Sequence, residues 1–155
     1  MADFKERRYW CREFMGWLLL GVALSAQAAP NRVEEAGLLE QLKEDLRQGQ
    51  IVEIPLEAEK FLAVYAPART QTARGAVVFL PEAGWRADSP VASGLERYLP
   101  AHGWDVLSLQ LPVLDAVAGL EEYRTLLPDG SAKLKAAVDW LKSQGSEAIA
   151  AVGHG

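Results

Sequence analysis

The sequence predicts an α/β protein with a mostly parallel sheet and helices on both faces, preceded by a signal peptide and an N-terminal helix. From residue 76 onward, strand-like apolar runs alternate with amphipathic stretches. Such alternation predicts parallel strands that are joined by right-handed helical crossovers. Residues 76–80 read Ala-Val-Val-Phe-Leu, and a continuous apolar run of this kind is typical of a strand buried on both faces.

The composition is that of a globular domain, because 50% of the 155 residues are hydrophobic and 24% are charged. The net charge is -5 and no basic patch occurs after the first thirty residues, so we expect no nucleic-acid partner. Cys11 is the only cysteine, which excludes an internal disulfide. His102 and His154 are the only histidines, so no Cys/His cluster has metal-ligand spacing, and we expect neither a metal nor a cofactor.

Residues 1–28 have the organisation of a secretory signal peptide. A basic stretch comes first, residues 14–24 are apolar and uncharged, and Ala26-Gln27-Ala28 fits the small-x-small cleavage rule. The apolar stretch is shorter than the roughly 20 residues that a membrane span needs, which favours a cleaved signal over an uncleaved anchor. We therefore expect cleavage between Ala28 and Ala29, export to the bacterial periplasm, and no stable membrane span afterwards.

Residues 29–49 form a predicted N-terminal helical segment, and residues 50–155 form the domain that follows it. Asn31 with Glu34 makes a capping-box pair at the start of the helix, and Gly49 can end it. An apolar stripe recurs at helical spacing, formed by Ala36, Leu39, Leu42 and Leu46. The stripe is either a docking face for a partner or a surface that packs on its own domain.

The domain begins with a predicted β-hairpin and a first strand–helix unit. Residues 51–55 and 60–66 are the hairpin strands, turning at residues 56–59, and they add an antiparallel edge to the sheet. After the strand at residues 76–80, Ser89 and Pro90 open a helix that closes at Gly103. One face of this helix carries apolar residues spaced by four, namely Val91, Leu95 and Leu99.

A second strand–helix unit leads to the last strand. Residues 104–111 are a predicted strand, residues 116–123 suit a short helix, and Asp129-Gly130 indicates a turn. Ser131 then caps a helix whose apolar face is formed by Leu134, Ala137, Val138 and Leu141. Residues 148–152 are apolar and predict a buried final strand.

That final strand runs into Gly153-His154-Gly155, which matches the beginning of the nucleophile-elbow pattern Gly-x-Ser-x-Gly. In this pattern a sharp strand-to-helix turn exposes a serine hydroxyl above the sheet. Gly153 fills the first glycine position, His154 the variable position, and Gly155 the position of the nucleophile. Gly155 has no side chain, and no residue follows it here to supply an acid or a base, so we expect no working catalytic triad.

The order of these motifs resembles the N-terminal half of an α/β-hydrolase. More narrowly, it resembles an exported bacterial α/β-hydrolase-like family of unknown function, family 3530. The residues that carry the resemblance are the signal peptide, the Leu-rich helix, Phe61-Leu62-Ala63-Val64-Tyr65, Phe79-Leu80-Pro81-Glu82-Ala83-Gly84 and Leu99-Pro100-Ala101-His102-Gly103-Trp104. The resemblance covers residues 33–155 and implies an incomplete hydrolase-like sheet.

The resemblance also assigns candidate site residues. Pro81-Glu82-Ala83-Gly84-Trp85 stands where the superfamily builds its oxyanion hole, although a plain strand-to-helix loop is the alternative. The resemblance gives His154 a packing or orienting role, with catalysis as the alternative. His102 precedes the elbow, whereas the base of such triads follows it. Asp115 and Asp129 also precede it, which favours turn roles for both.

The sequence thus predicts an exported α/β-hydrolase-like protein that is catalytically silent and binds a small-molecule ligand or a partner. Two alternatives stay open: a fragment of a serine-type hydrolase or esterase, and a non-enzymatic binding or scaffold protein of the envelope. Because no strand follows residues 148–152 in this sequence, we also expect an open sheet edge through which the chain could form a homodimer.

Overall fold

The computed structural model describes residues 30–57, 59–115 and 117–155. The predicted signal peptide, with its cleavage site between Ala28 and Ala29, lies outside the described residues. Within the described part of the chain, no helix has both the length and the apolar character needed to cross a membrane.

In the part of the chain that the structure describes, five strands and four helices follow one another in nearly the predicted order. Their bounds are α1 (Arg32–Asp45), β1 (Gln50–Leu56), β2 (Glu59–Ala66), β3 (Gly75–Leu80), α2 (Pro90–Ala101), β4 (Trp104–Leu109), α3 (Leu120–Arg124), α4 (Leu127–Ser143) and β5 (Ile149–Gly153). The predicted hairpin is confirmed, because β1 and β2 pair antiparallel from Gln50 opposite Tyr65 to Leu56 opposite Glu59.

The sheet is mixed, and the expectation of a mostly parallel sheet was wrong. Its strand order is β1-β2-β4-β3-β5. β3 pairs parallel with both β4 and β5, whereas β2 pairs antiparallel with both β1 and β4. The hairpin causes this difference: a tight turn reverses β2 relative to β1, and β2 then joins the sheet beside β4 in the opposite direction.

Helices cover both faces of the sheet, as predicted. Alternate residues of a strand point to opposite faces. Ala63 of β2 therefore belongs to a core cluster with Ala137 and Leu141 of α4, whereas the neighbouring Val64 packs with Leu42 of α1 on the other face. The predicted apolar face of α4 is confirmed, since Ala137 and Leu141 are fully buried.

Helix α1 is docked on the domain by its last turns. Leu42 is buried, and Leu46 packs against the same cluster. Leu39 is only half-buried and Ala36 is exposed, so packing on the domain accounts for half of the stripe. The helix ends at Asp45, earlier than predicted, because Leu46 is extended (φ -60, ψ 115) and leads the chain out of the helix.

Half of the predicted capping box is found at the start of α1: Asn31 caps the helix, but the N–H of Asn31 donates to Val113. The Asn31 side chain accepts hydrogen bonds from the backbone N–H groups of Val33 and Glu34, at 3.1 and 3.0 Å. The N–H of Asn31 itself donates to the carbonyl of Val113 at 2.7 Å. Asn31 therefore both caps the helix and ties it to the segment that follows β4.

Helix α2 buries a different face from the apolar one seen in the sequence. Ser89 is its N-cap as predicted, but the buried residues are Ala92, Glu96 and Pro100, one position along from Val91, Leu95 and Leu99. Val91 is 40% exposed. On the buried face, the carboxyl group of Glu96 accepts a hydrogen bond from Ser108 of β4.

Two further predictions were wrong near the end of the chain. Helix α4 begins at Leu127, so Asp129 and Gly130 lie in its first turn and Ser131 is not its cap. Pro128 suits this early start, because proline is well tolerated in the first turn of a helix. Strand β5 forms as predicted but is not buried: Ile149 is half-buried and residues 150–153 are exposed, since β3 is the only strand beside β5 among the described residues.

A buried carboxyl group lies between α2 and β4. Glu96 is 1% exposed, and its Oε1 accepts a hydrogen bond from the Ser108 hydroxyl at 2.7 Å. Burial raises the pKa of Glu96 from 4.5 to about 7; the Ser108 hydrogen bond opposes this rise in pKa, and the nearby Asp88 adds to it. Near neutral pH, the folded protein therefore binds a proton at Glu96 that the unfolded chain has released.

This proton linkage predicts a pH-dependent gain in stability for Glu96→Gln. As pH rises from 4.5 towards 7, the native protein loses stability relative to the unfolded chain, by about 3 kcal/mol in total. Glutamine keeps an acceptor for Ser108 and cannot ionise. Urea unfolding should therefore show Glu96→Gln gaining about 3 kcal/mol relative to wild type between about pH 4 and about pH 8. The exposed Glu121→Gln is the matched control, and an equal pH dependence in both variants would contradict the account.

Candidate functional site

The predicted site residues converge at one edge of the sheet. Strands β3, β4 and β5 run in the same direction, so their carboxyl ends meet at this edge. Leu80 is paired with Gly153, and the N–H of His154 donates to the Leu80 carbonyl at 3.1 Å. Residues 81–85 and 153–155 are therefore neighbours, in the kind of position where open α/β sheets bind ligands. Their roles as oxyanion loop and elbow stay predictions.

Glu82 lies directly against the position of the expected nucleophile. A Cβ atom added to Gly155 would be 3.3 Å from Cγ of Glu82 and 3.5 Å from its Cα. Gly155 also has φ +132, a conformation that residues with side chains rarely adopt. The Glu82 carboxylate is 4.0 Å from Nδ1 of His154, and both side chains are about half exposed. A carboxylate and an imidazole thus lie beside the position that a nucleophilic serine has in the elbow pattern.

Gly84 is required by the conformation of its loop. Its φ is +80, and an added Cβ would lie 2.9 Å from the Tyr123 hydroxyl. The Tyr123 hydroxyl accepts a hydrogen bond from the N–H of Leu114 at 3.3 Å, which links α3 to the segment after β4. The close neighbour of Gly84 is thus a side chain of the protein itself. Tyr123 was not predicted at this site, since nothing in the sequence pattern around it indicates this contact.

Gln110 holds the same loop from the end of β4. Its Oε1 accepts from the N–H of Ala87 at 3.0 Å, and its Nε2 lies 3.4 Å from the Trp85 carbonyl and 3.2 Å from that of Leu111. Its own carbonyl accepts from Nζ of Lys133 at 3.0 Å. Gln110 was also missed, although a polar residue inside the apolar run at residues 106–111 was a usable signal.

Arg86 fastens the loop to the end of α1. Its guanidinium donates to both carboxylate oxygens of Asp88, at 2.8 and 2.6 Å, and to Asp45 at 3.0 Å. The hydrogen bond to Asp88 raises the pKa of Arg86 further above its ordinary value. An open cavity of about 440 Å³ borders this loop, with Trp85 and Ser93 among its lining residues. The loop beside the cavity is therefore held in place by hydrogen bonds, and the cavity is large enough for a small ligand.

The other candidate residues lie elsewhere or have structural roles. His102 caps the end of α2, just before β4, and therefore lies at the opposite edge of the sheet from Gly153–Gly155; its ring stacks on Tyr98 with centroids 4.1 Å apart. Asp115 accepts a hydrogen bond from the Asn31 side chain. Asp129 lies in a helix rather than in a turn. No group of three potential metal-binding side chains occurs among the residues that the structure describes.

Solved structures of hydrolases share this fold. A dienelactone hydrolase-like promiscuous phosphotriesterase, P91 from metagenomic libraries, is 22% identical with a TM-score of 0.54, covering 67% of this chain and 47% of its own. The thermostable carboxylesterase EstE1, from a metagenomic library, is 21% identical with a TM-score of 0.51, covering 86% of this chain and 46% of its own. The chain thus spans less than half the length of either structure. At these identities the likeness defines the fold, which is that of the α/β-hydrolases.

The family is defined by a direct match of the sequence. Residues 22–130 match the model of the family described as protein of unknown function (DUF3530). The chain belongs to this family, as the motifs in its sequence predicted. None of the curated proteins matches the sequence significantly.

Proposed function

We propose that this chain is an exported α/β-hydrolase-fold protein that binds a small ligand at the carboxyl edge of its sheet and does not hydrolyse esters through position 155. The observation that carries the proposal is the packing of Glu82 against Gly155. A side chain at position 155 would contact Cγ of Glu82 at 3.3 Å and would need an unfavourable backbone conformation. A residue with a side chain would therefore be strained at this position, and Glu82 would have to shift to make room for it.

The charge at this edge also opposes acyl-transfer chemistry. Hydrolysis of an ester builds negative charge on the carbonyl oxygen, and oxyanion holes stabilise that charge with N–H donors. Glu82 places a carboxylate in the loop that would supply such donors. A carboxylate in this loop repels a negative charge that develops beside it. An anionic transition state is disfavoured here, so the edge suits a ligand that offers hydrogen-bond donors or a positive charge.

The two alternatives have different support. Similarity in fold to a carboxylesterase and a phosphotriesterase favours a piece of a serine-type hydrolase, but at 21–22% identity it carries no information about the residue at position 155. A scaffold that docks a partner through the stripe of α1 has less support, because Leu42 is buried against Val64 and Ala87 of the same chain. Ligand binding without acyl transfer agrees best with the residues at the edge.

An esterase assay tests the catalytic part of the proposal. The protein as its gene encodes it should hydrolyse p-nitrophenyl acetate no faster than the buffer control, and Gly155→Ser should not change this. A serine there would meet Glu82 and would need the strained backbone conformation of Gly155. The double variant Gly155→Ser/Glu82→Gln also removes the negative charge of Glu82, and it is the matched control for Gly155→Ser. Turnover by the unmodified protein that Glu82→Gln or His154→Ala abolishes would show that the edge is catalytic.

Export is tested by the N-terminus of the envelope form. The basic start, the apolar stretch and Ala26-Gln27-Ala28 support cleavage after Ala28. Protein recovered from the periplasm of the expressing bacterium should give an N-terminal sequence that begins at Ala29. Recovery from the cytoplasm with Met1 or Ala2 at the N-terminus would contradict export.

A further inference from the structure

A second depression lies at the same edge of the sheet, beside the β1–β2 hairpin. We call it the hairpin groove. It has a volume of about 660 Å³ and is bounded by α1, the hairpin turn and the first turns of α4. Gln110 follows β4 and lies on its floor, while its side chain contacts the loop of the candidate site. The groove is thus adjacent to that site but is built from other residues.

Apolar side chains form much of the lining of the hairpin groove. Ala36 and Leu39 contribute from α1, and they are the half of the apolar stripe that the core leaves uncovered. Leu56 and Phe61 contribute from the hairpin. Ligand pockets in proteins typically measure about 300–1,000 Å³ and combine a mostly apolar lining with a few placed polar groups. The groove therefore has the size and character of a small-molecule site.

The lysines that line the groove already have partners. Nζ of Lys133 is 3.0 Å from Oε1 of Glu35 and 3.0 Å from the Gln110 carbonyl, and it lies 5.4 Å from the centre of the Phe61 ring. Nζ of Lys60 is 2.8 Å from Oε2 of Glu53. These cations are neutralised within the protein, so they offer little attraction to an anionic ligand.

Two carboxylates of the lining, by contrast, remain uncompensated. Glu57 lies in the hairpin turn and Asp129 in the first turn of α4, and both are exposed. Within the part of the chain that the structure describes, neither forms an ion pair. The net charge of -5 adds to the attraction of this surface for cations.

We infer that the hairpin groove binds an organic cation, a ligand with an apolar body and an ammonium group. The body packs against Leu39, Leu56 and Phe61, and the ammonium group is attracted by Glu57 and Asp129. The volume, the apolar lining and the unpaired negative charge together select this chemistry over an anion or a neutral polar molecule. The inference does not depend on what happens at Gly155.

Two dansyl probes with the same fluorophore and opposite charge test this inference. Dansylcadaverine carries a primary ammonium group, whereas dansyl-6-aminohexanoate carries a carboxylate. We expect the fluorescence of dansylcadaverine to rise on titration with the full protein, with affinity at least tenfold higher than that for the anionic probe. Glu57→Gln/Asp129→Asn should lower the affinity for the cation about tenfold, because both attracting charges are removed. Equal affinity for the two probes would overturn the inference.

Matched variants assign the bound probe to one site. Glu147→Gln removes an exposed carboxylate away from the groove and should leave the affinity unchanged. Leu39→Asn should weaken binding, with a melting curve to show that the variant is folded. Glu82→Gln separates the two sites: a loss of binding in this variant, with none in Glu57→Gln/Asp129→Asn, would place the cation at the candidate site and contradict the groove. Added probe that shifts the protein to a dimer would likewise contradict a small-ligand site.

Discussion

The parallel pairing of β3 with both β4 and β5 is the constraint on which the rest of the structure depends. β3 is buried on both faces, because Ala76 and Val78 belong to the core under α4 while Val77 and Phe79 point to the opposite side. Since its two partners run in the same direction, the segments that follow all three strands are brought to one edge of the sheet. Loss of this pairing would separate Glu82 from Gly155.

Polar contacts then fix the backbone at that edge. The side chain of Gln110 accepts a hydrogen bond from the N–H of Ala87, and its backbone carbonyl accepts one from Nζ of Lys133. Gln110 therefore connects the loop after β3 with the hairpin groove. Each of these buried groups has a partner, which avoids the desolvation penalty of an unpaired polar atom. The backbone at this edge is therefore held in place by hydrogen bonds.

Much of the fold could be predicted from the sequence, because hydrophobic periodicity reports strands and helices directly. The continuous run at β3, the hairpin and the Ser89 cap are examples. The buried face of α2 could not be predicted, since the burial of Glu96 against Ser108 of β4 is a tertiary contact that leaves no local signal. The sequence led us to expect that residues 81–85 lie beside residues 153–155. The contact between the Glu82 side chain and Gly155 could not be predicted, because it depends on how side chains are placed across two parallel strands. Tyr123 beside Gly84 likewise depends on tertiary packing that leaves no local signal.

We propose that position 155 provides no nucleophile and that, among the residues that the structure describes, no other residue at the edge replaces it. Treatment of the full gene product with a fluorophosphonate, which forms a covalent bond with activated serine hydroxyls, tests this claim most directly. Intact mass spectrometry should show the unmodified mass after an incubation that fully labels a serine esterase in parallel. A stoichiometric adduct, mapped by peptide sequencing to one residue of this protein, would contradict the account.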